Sequence, residues 1–384
     1  MQNQVSKTPK RQKKLKVLAL VTDAFGGFGG IAQYNRDFLQ AVSASKYVET
    51  ITVLPRLAPG VTQALPAGAR QLAPIRNQIL YSLKAIGLAL RERPDVVFCG
   101  HLYMAPLGAI VAKLTGAKLV LQTHGIEVWP KPSAMQRAAV ESADIVLCVS
   151  RNTRARLLDW TNPVPEKVVV TPNTVAMRYS PGDGRASRAR LGLQDKTILF
   201  SVSRLDASQQ YKGQDRVIGL LLALRERGRD VVFVIGGSGD DRSRLEALAR
   251  DHGVADHVRF LGEVTNDELL DLYRAADLYL MPSSGEGFGI VFLEAMACGT
   301  PALGLALGGA PDALGRGLGD AVDDGELLDA IERALNKANP EPNALASEVR
   351  RRYGEVAFRG RIAGAISRLM DSSRIQSPAM AIRG

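Results

Sequence analysis

The sequence contains few aromatic residues, only three cysteines and no long apolar run. Aromatic residues make up 5% of the chain and are not interleaved with Lys and Arg, which argues against a surface that stacks nucleic-acid bases. Cys99, Cys148 and Cys298 have neither metal-binding nor redox spacing, so we expect them to be reduced core residues in a cytosolic protein. No stretch reaches the ~18 apolar residues that a membrane span requires.

What the sequence does contain is enough apolar material for two domains. The chain has 384 residues, of which 46% are hydrophobic, and this length suits two separate cores. Its beginning, MQNQVSKTPKRQKKLKVLALV, has the basic and apolar parts of a signal peptide. The apolar part is short and runs directly into Thr22 and Asp23, so we expect a first buried strand there instead.

Positive charge is concentrated in the first half of the chain. Residues 1–170 contain 22 Lys and Arg against 10 Asp and Glu, whereas the net charge of the whole chain is +10. This asymmetry predicts a surface that meets an anionic partner, and we favour an anionic membrane over nucleic acid. One candidate surface is the basic tail, which contains Lys10, Arg11, Lys13 and Lys14.

The second candidate surface is segment 75–93, whose pattern predicts an amphipathic helix. Its apolar residues and the basic residues around them recur at helical spacing: Ile79, Leu80, Leu83, Ile86 and Leu90, with Arg76, Lys84, Arg91 and Arg93. Two interpretations stay open. The helix either packs on the core with a solvated basic rim, or it presents an apolar side to anionic lipid.

Short β-rich runs alternate with helical patterns from Lys16 onward, which predicts parallel sheets joined by crossover helices. The turn-rich segment SPGDGRASRARLGLQDK interrupts this pattern, and strands then resume. We therefore predict an α/β protein with two doubly wound, Rossmann-like domains that face each other across a cleft. The predicted domains span 1–175 and 176–354, and a C-terminal helix in 355–384 is expected to cross back to the first domain.

Ligands of open parallel sheets bind beyond the carboxyl ends of the strands. GGFGG follows the first predicted strand and precedes a helix, so its glycines permit a tight turn and close approach of the backbone to an anion. Gly27, Gly29 and Ala32 also match the G-x-G-x-x-A dinucleotide fingerprint. No acidic residue follows the second predicted strand to hold a ribose, so an oxidoreductase would have to be NADP-dependent and use Arg56.

Two cations follow the first strand of the second predicted domain. Arg204 and Lys212 lie in SRLDASQQYKGQD, at the mouth of the sheet. A guanidinium and an ammonium suit a diphosphate leaving group, because neutralising its charge lowers the cost of bond cleavage. The alternative is a pair of solvated surface cations.

Two glutamates flank a glycine-rich turn and an apolar stretch in GEGFGIVFLEAMACGTPALG. We expect Glu286 in the turn and Glu294 in the following helix. The two carboxylates could form a hydrolase pair at a separation of about 5–9.5 Å, or one could cap the helix. We favour a third use, recognition of sugar hydroxyls, assisted by the backbone N–H groups of Gly287, Phe288 and Gly289 at the helix start.

The segment SGEGFGIVFLEAMACGTPAL resembles the glutamate, seven residues, glutamate signature of retaining glycosyltransferases of family four, which have the GT-B architecture. Further matches follow in family order over residues 16–366: GGFGG, THG, TPNTV, SRL…YKGQD, VIGGSGD, VRFLGEV and GGAPD. The chain departs from the family pattern at Thr174, where glycine is usual, and in a longer loop before Lys212.

This resemblance implies a role for each candidate residue. The donor diphosphate would bind Arg204, Lys212, Gly29 and Gly30, the ribose would bind Glu294, the donor sugar would bind Glu286, Gly287, Phe288 and Gly289, and His124 and Glu286 would act in catalysis beside the reacting sugar. The family retains the anomeric configuration, which implies front-face attack with the leaving phosphate helping to deprotonate the acceptor. The sequence has no Asp-x-Asp, the metal signature of the other main glycosyltransferase architecture, so we expect no metal and no cofactor.

The sequence thus predicts a transferase that moves a hexose from a UDP- or GDP-linked sugar to a glycan or lipid-linked acceptor, in surface polysaccharide or glycolipid biosynthesis. We expect a cytoplasmic protein that binds the inner face of the membrane peripherally. Two alternatives stay open: an NADP-dependent oxidoreductase, and a non-catalytic protein that binds sugar nucleotides or lipids.

Overall fold

Two parallel sheets organise the chain, and the computed structural model describes residues 14–315, 317–336 and 341–375. The first sheet has seven strands: β1 (Leu15–Val21), β2 (Val48–Pro55), β3 (Ala69–Gln71), β4 (Val96–Cys99), β5 (Lys118–Thr123), β6 (Ile145–Cys148) and β7 (Val168–Val170). Their order is β3-β2-β1-β4-β5-β6-β7, and all neighbours are parallel. The accompanying helices are α1 (Gly29–Ser43), α2 (Gln78–Glu92), α3 (Ala105–Thr115), α4 (Ala134–Ser142) and α5 (Arg151–Leu158).

The second sheet has six strands: β8 (Thr197–Val202), β9 (Val231–Gly236), β10 (Val258–Gly262), β11 (Leu278–Met281), β12 (Ala302–Leu305) and β13 (Asp320–Val322). Their order is β10-β9-β8-β11-β12-β13, again with parallel neighbours. The helices of this domain are α6 (Arg185–Leu191), α7 (Gln214–Glu226), α8 (Arg242–Asp251), α9 (Asn266–Ala275), α10 (Ile290–Ala297), α11 (Ala310–Leu314) and α12 (Leu327–Asn336).

Two last helices, α13 (Pro342–Tyr353) and α14 (Glu355–Ile375), run from the second domain back to the first. α13 packs against α10, whereas α14 packs against α1. The Phe358 ring of α14 meets the Tyr34 ring edge-on, with 5.6 Å between the centroids, and Ile362 joins the same core. The C-terminal helix therefore covers one face of the first sheet.

The burial of the strands explains their apolar sequences. Every residue of β4, β6, β9 and β11 is buried, because helices cover both faces of a parallel sheet. Two of the helices begin with capping boxes, in which Ser133 pairs with Gln136 and Thr265 pairs with Glu268. Local signals of this kind fix where these helices start.

The predicted fold class is confirmed, and so are the predicted strands. The sequence did not indicate β3, β12 and β13, which have only three or four residues and contain Ala, Gly or charged residues of weak strand propensity. Cys99, Cys148 and Cys298 are buried as expected, and burial raises the pKa of each thiol to about 12. Of the predicted basic tail, only Lys14 falls within the described residues, and it is exposed.

Candidate active site

A cleft of about 610 Å³ lies between the two domains, at the carboxyl ends of both sheets. This volume is within the roughly 300–1,000 Å³ that is common for small-molecule sites. Nearly all the predicted site residues line it: Gly29, Gly30, His124, Arg204, Lys212, Glu286, Gly287, Phe288 and Gly289. Glu294 is the predicted site residue that does not.

The glycine loop after β1 forms part of the first-domain wall. Buried Arg36 donates hydrogen bonds to the carbonyl oxygens of Ala24 and Gly27, both at 2.8 Å, and so fixes the loop. Gly29 has a φ of +83°, which favours glycine. A Cβ at Gly29 or Gly30 would meet no other atom within 4 Å. The space beside these glycines is therefore open to a ligand.

His124 lies on the first-domain side of the cleft and is half-buried. Its Nε2 lies 2.8 Å from the carbonyl oxygen of Gly100, which only accepts, so Nε2 carries the proton. Burial lowers the pKa of His124, while nearby Glu127 acts in the opposite direction. The ring is therefore neutral near pH 7, and its Nδ1 has a lone pair that accepts hydrogen bonds.

The two domains touch where glycines of three motifs pack closely. A Cβ on Gly125 would lie 2.3 Å from the Cα of Gly287, and a Cβ on Gly287 would lie 1.8 Å from the carbonyl oxygen of His124. A Cβ on Gly309 would lie 2.0 Å from the carbonyl oxygen of Gly287. Larger residues would force these backbones apart, so the glycines of THG, GEGFG and GGAPD are needed for this close backbone contact.

Lys212 and Glu286 form an ion pair in the second-domain wall. The distance from Nζ to Oε1 is 2.6 Å, and the side chains are only 17% and 9% exposed. Gly213 has a φ of +82°, and a Cβ there would lie 2.3 Å from the carbonyl oxygen of Pro282. This close approach brings the loop of Lys212 beside the loop of Glu286. Each charge compensates the other, since an unpaired buried charge is costly.

Arg204 is exposed in the loop after β8 and lines the cleft. Glycines of the loop after β9 support its backbone. A Cβ on Gly237 would lie 1.8 Å from the carbonyl oxygen of Ser203, and a Cβ on Gly239 would lie 1.9 Å from that of Leu205. The glycines of VIGGSGD thus let two loops pack closely and hold the backbone of Arg204 at the cleft.

Glu294 lies in the second turn of α10, outside the cleft lining. Its Oε2 accepts a hydrogen bond of 2.9 Å from the hydroxyl of Tyr273. Burial raises the pKa of Glu294 to about 7. The capping alternative is wrong because Gly289 is the N-cap, whereas the hydrolase-pair alternative stays a prediction. The ribose-binding role of Glu294 stays a prediction.

One helix from each domain points its N-terminal end into the cleft. α1 begins at Gly29, and α10 follows its N-cap Gly289, which has a φ of +91°. The first N–H groups of a helix carry a partial positive charge and attract anions. Together with Arg204 and Lys212, the two helix ends make this cleft suited to a phosphate-bearing ligand.

The cleft lining also contains polar residues that were not singled out from the sequence, and Glu127 and Tyr211 are two of them. The carboxylate of Glu127 accepts a hydrogen bond from the backbone N–H of His124. Tyr211 lies next to Lys212, whose Nζ is 5.3 Å from the centre of the tyrosine ring. The sequence contained one indication of both residues: Glu127 lies close to His124 in the chain, and Tyr211 lies next to Lys212.

Arg56, the residue that an NADP site would need, does not line the cleft. Its guanidinium donates to the hydroxyl of Tyr103 at 3.2 Å and to the carbonyl oxygen of Arg76 at 2.5 Å. The structure therefore does not bring the Arg56 side chain into the cleft. The oxidoreductase alternative then lacks the cation that would bind the 2′-phosphate of NADP.

Two doubly wound domains that face each other across a cleft have the GT-B architecture. Residues 28–178 match the family described as Glycosyltransferase Family 4, and residues 183–357 match Glycosyl transferases group 1. A D-inositol 3-phosphate glycosyltransferase of Acidothermus cellulolyticus is 32% identical over 318 residues, which are 73% of this chain and 70% of that protein. The chain belongs to glycosyltransferase family 4.

Other similar proteins differ in their donors. A GDP-mannose-dependent alpha-(1-6)-phosphatidylinositol monomannoside mannosyltransferase of Mycolicibacterium smegmatis is 35% identical over 257 residues, 64% of this chain. The chain spans 66% of the length of that relative. Among solved structures, Anabaena HepE in complex with UDP-glucose has a TM-score of 0.71 at 21% identity, covering 92% of this chain and 99% of that one. This likeness shows a common fold.

Proposed function

We propose that the protein is a retaining hexosyltransferase that moves a sugar from a UDP- or GDP-linked donor to a glycan or lipid-linked acceptor. The observation that carries this proposal is the convergence of Arg204, Lys212 and two helix N-termini on one cleft that also contains Glu286. The donor diphosphate binds between the two helix ends, where the cations neutralise the charge that develops on the leaving phosphate.

The donor sugar lies beside Glu286 and the backbone of Gly287–Gly289. Glu286 accepts hydrogen bonds from sugar hydroxyls, and the neutral His124 approaches the reacting sugar from the first domain. Glu286 is paired with Lys212, so its carboxylate is already engaged by a cation. We therefore assign deprotonation of the acceptor to the leaving phosphate, with attack on the same face and retention of configuration.

Metal independence is part of the same proposal. In a metal-dependent transferase, a divalent cation neutralises the leaving diphosphate. Here Arg204 and Lys212 supply two formal positive charges, and the helix ends add partial charges directed at the cleft. These groups support transfer without a metal ion.

The experiment that tests the activity compares donors under one assay. GDP-mannose and UDP-glucose come first, because they are the donors named for a related enzyme and for a structural neighbour. We expect slow release of nucleoside diphosphate from one donor, and NMR of the transferred sugar should show retained configuration. Donor binding without hydrolysis or transfer would support the non-catalytic alternative, and protection by NADPH alone would support the oxidoreductase.

We also propose that the protein binds an anionic membrane peripherally through α2. The core side of this helix is formed by Tyr81, Ala85, Leu88 and Ala89. The apolar residues that the sequence singled out mostly face outward, with exposed fractions of 72% for Ile79, 58% for Leu80, 62% for Leu83 and 54% for Leu90. The helix thus packs on the core through one side, to which Ile86 also contributes, while the other four singled-out apolar residues are exposed.

The surroundings of α2 support a lipid surface as the partner. Arg76 and Lys84 are exposed beside the apolar residues. The neighbouring helix α3 adds exposed Ile110 and Leu114, with Lys113 between them. Apolar side chains bordered by cations are the pattern of interfacial helices on anionic lipid. No helix among the described residues is long and apolar enough to cross a bilayer.

A further inference from the structure

A second cavity, of about 570 Å³, lies where both domains meet the two crossing helices. It shares no lining residue with the donor cleft. Its charged lining residues come from four helices, α5, α11, α13 and α14, and are Arg151, Asp312, Arg351, Arg352 and Arg361. Four guanidinium groups therefore face a cavity whose lining contains one carboxylate.

That carboxylate is already engaged. Asp312 accepts a hydrogen bond of 2.5 Å from Nε of Arg151 and another of 2.9 Å from the backbone N–H of the same residue. The next carboxylate, Glu348, is shared by two arginines: it pairs with Arg351 at 2.6 Å and also with Arg352. The carboxylates near the cavity thus balance fewer charges than the arginines supply.

Arg361 of α14 forms an ion pair with neither of these two carboxylates. It is half-buried, and its Nη2 donates to the carbonyl oxygen of Arg352. Its Nη1 is buried and has no hydrogen-bond partner. The ring of Tyr353 lies against the guanidinium, with 5.8 Å from Cζ to the ring centre. A buried donor without an acceptor is costly, so an acceptor that reached Nη1 would stabilise this guanidinium.

We infer that this cavity binds a small phosphorylated molecule through its phosphate group. Phosphate oxygens accept the paired N–H groups of arginine side by side, which makes a cluster of guanidinium groups selective for this anion. The cavity is much larger than a phosphate ion, so it also has room for an organic part the size of a sugar. Because Arg151 belongs to the first domain and Arg361 to the crossing helix, the bound phosphate would connect them.

The first test titrates the protein with inorganic phosphate and with a hexose phosphate, against sodium chloride at equal ionic strength. Arg204→Ala is included to remove phosphate binding in the donor cleft. We expect phosphate to raise the melting temperature of the wild type and of Arg204→Ala, and calorimetry to show that Arg204→Ala retains one phosphate site. A response no larger than that to chloride, or one lost in Arg204→Ala, would overturn the inference.

The second test assigns the site. In the Arg204→Ala background, Arg361→Gln should abolish the phosphate response, and Arg351→Gln should weaken phosphate binding about tenfold or more, the loss expected for a hydrogen bond to a charged group. Arg359→Gln is the matched control, because Arg359 lies on the same helix, is exposed and does not line the cavity. If Arg361→Gln fails to fold, the phosphate affinity of Arg351→Gln tests the site instead. The Arg351 side chain is 69% exposed, so its replacement should not prevent folding. Unchanged affinity in both variants would refute the site.

Discussion

Lys212 and Glu286 are bound to each other, with 2.6 Å between Nζ and Oε1, at the point where the two parts of the donor would separate. In the proposed reaction Lys212 serves the diphosphate and Glu286 serves the transferred sugar. Phosphate oxygens then compete for the ammonium, and sugar hydroxyls compete for the carboxylate. The ion pair keeps both charges compensated until the donor arrives.

Glu286→Gln and Glu294→Ala should affect different parts of the donor. Glu286→Gln should reduce transfer by roughly 10- to 100-fold, the loss of a hydrogen bond to a charged group, and should change affinity for the bare nucleoside diphosphate much less. Glu294→Ala should weaken the bare nucleotide as well, if this carboxylate binds the ribose. Calorimetry with the nucleotide and turnover with the full donor separate these effects. Equal losses of nucleotide affinity would contradict the division.

Arg204→Ala should weaken nucleoside-diphosphate binding by about 1.5–3 kcal/mol and lower turnover, because a charge-assisted hydrogen bond is lost. The matched control is Arg250→Ala, which removes an exposed arginine of the same domain outside the cleft. Calorimetry with the nucleoside diphosphate measures the affinity of both variants. If the two variants bind it equally well, Arg204 does not belong to the site.

Gly30→Ala should reduce nucleotide affinity without lowering the melting temperature. A Cβ at Gly30 meets no protein atom within 4 Å, and alanine favours a helix more than glycine does. The added methyl group would instead occupy space that we assign to the donor diphosphate. Gly219→Ala in α7 is the control, because it also adds a Cβ in open space within a helix. An unchanged affinity in Gly30→Ala would show that the ligand does not approach this backbone.

The half-buried Glu294, whose pKa is raised, should make stability depend on pH. Burial raises its pKa to about 7 from an ordinary value of 4.5, so between these values the native state binds more protons than the unfolded chain. The free energy of unfolding should therefore fall as pH rises through this window, by up to about 3 kcal/mol from this group. Urea unfolding at pH 5, 6 and 7 measures the slope.

Two variants separate Glu294 from another group of the same kind. Burial also raises the pKa of Asp37 to about 7, and that carboxyl adds a slope of the same sign. Glu294→Gln should reduce the pH dependence and leave the contribution of Asp37, while Asp37→Asn should do the reverse. A slope in Glu294→Gln equal to that of the wild type would show that Glu294 is ionised normally in the folded protein.

The membrane proposal predicts binding to anionic vesicles that weakens as salt rises, since exposed charges are screened over about 10 Å at 0.1 M salt. Replacing both Arg76 and Lys84 with glutamine should weaken binding about tenfold or more, at ~1 kcal/mol for each basic residue. Replacing Ile79 and Leu83 with serine should weaken it at all salt concentrations. Leu222→Ser, at an exposed leucine of the second domain, is the control in co-sedimentation. A wild type that ignores anionic vesicles at low salt would refute docking and leave the transferase proposal intact.

Several features of this protein were determined by the sequence alone. Alternating apolar runs and helical patterns gave two parallel-sheet domains, because burial on both faces of a sheet requires continuous apolar strands. The motifs also lie at the carboxyl ends of strands, where such sheets bind ligands, so the sequence predicted that Gly29, Arg204 and Glu286 line the cleft. These inferences rest on residues that are close together in the chain.

Only the tertiary structure decided which of these residues meet. The contact of Gly125 with Gly287 and the pair of Lys212 with Glu286 join distant parts of the chain, and no local pattern encodes them. The side of α2 that faces the core, and the hydrogen bond that holds Glu294 to Tyr273, depend on how neighbouring elements pack. The sequence specifies which side chains are available, whereas the packing of separate helices and strands sets their distances, burial and charge partners.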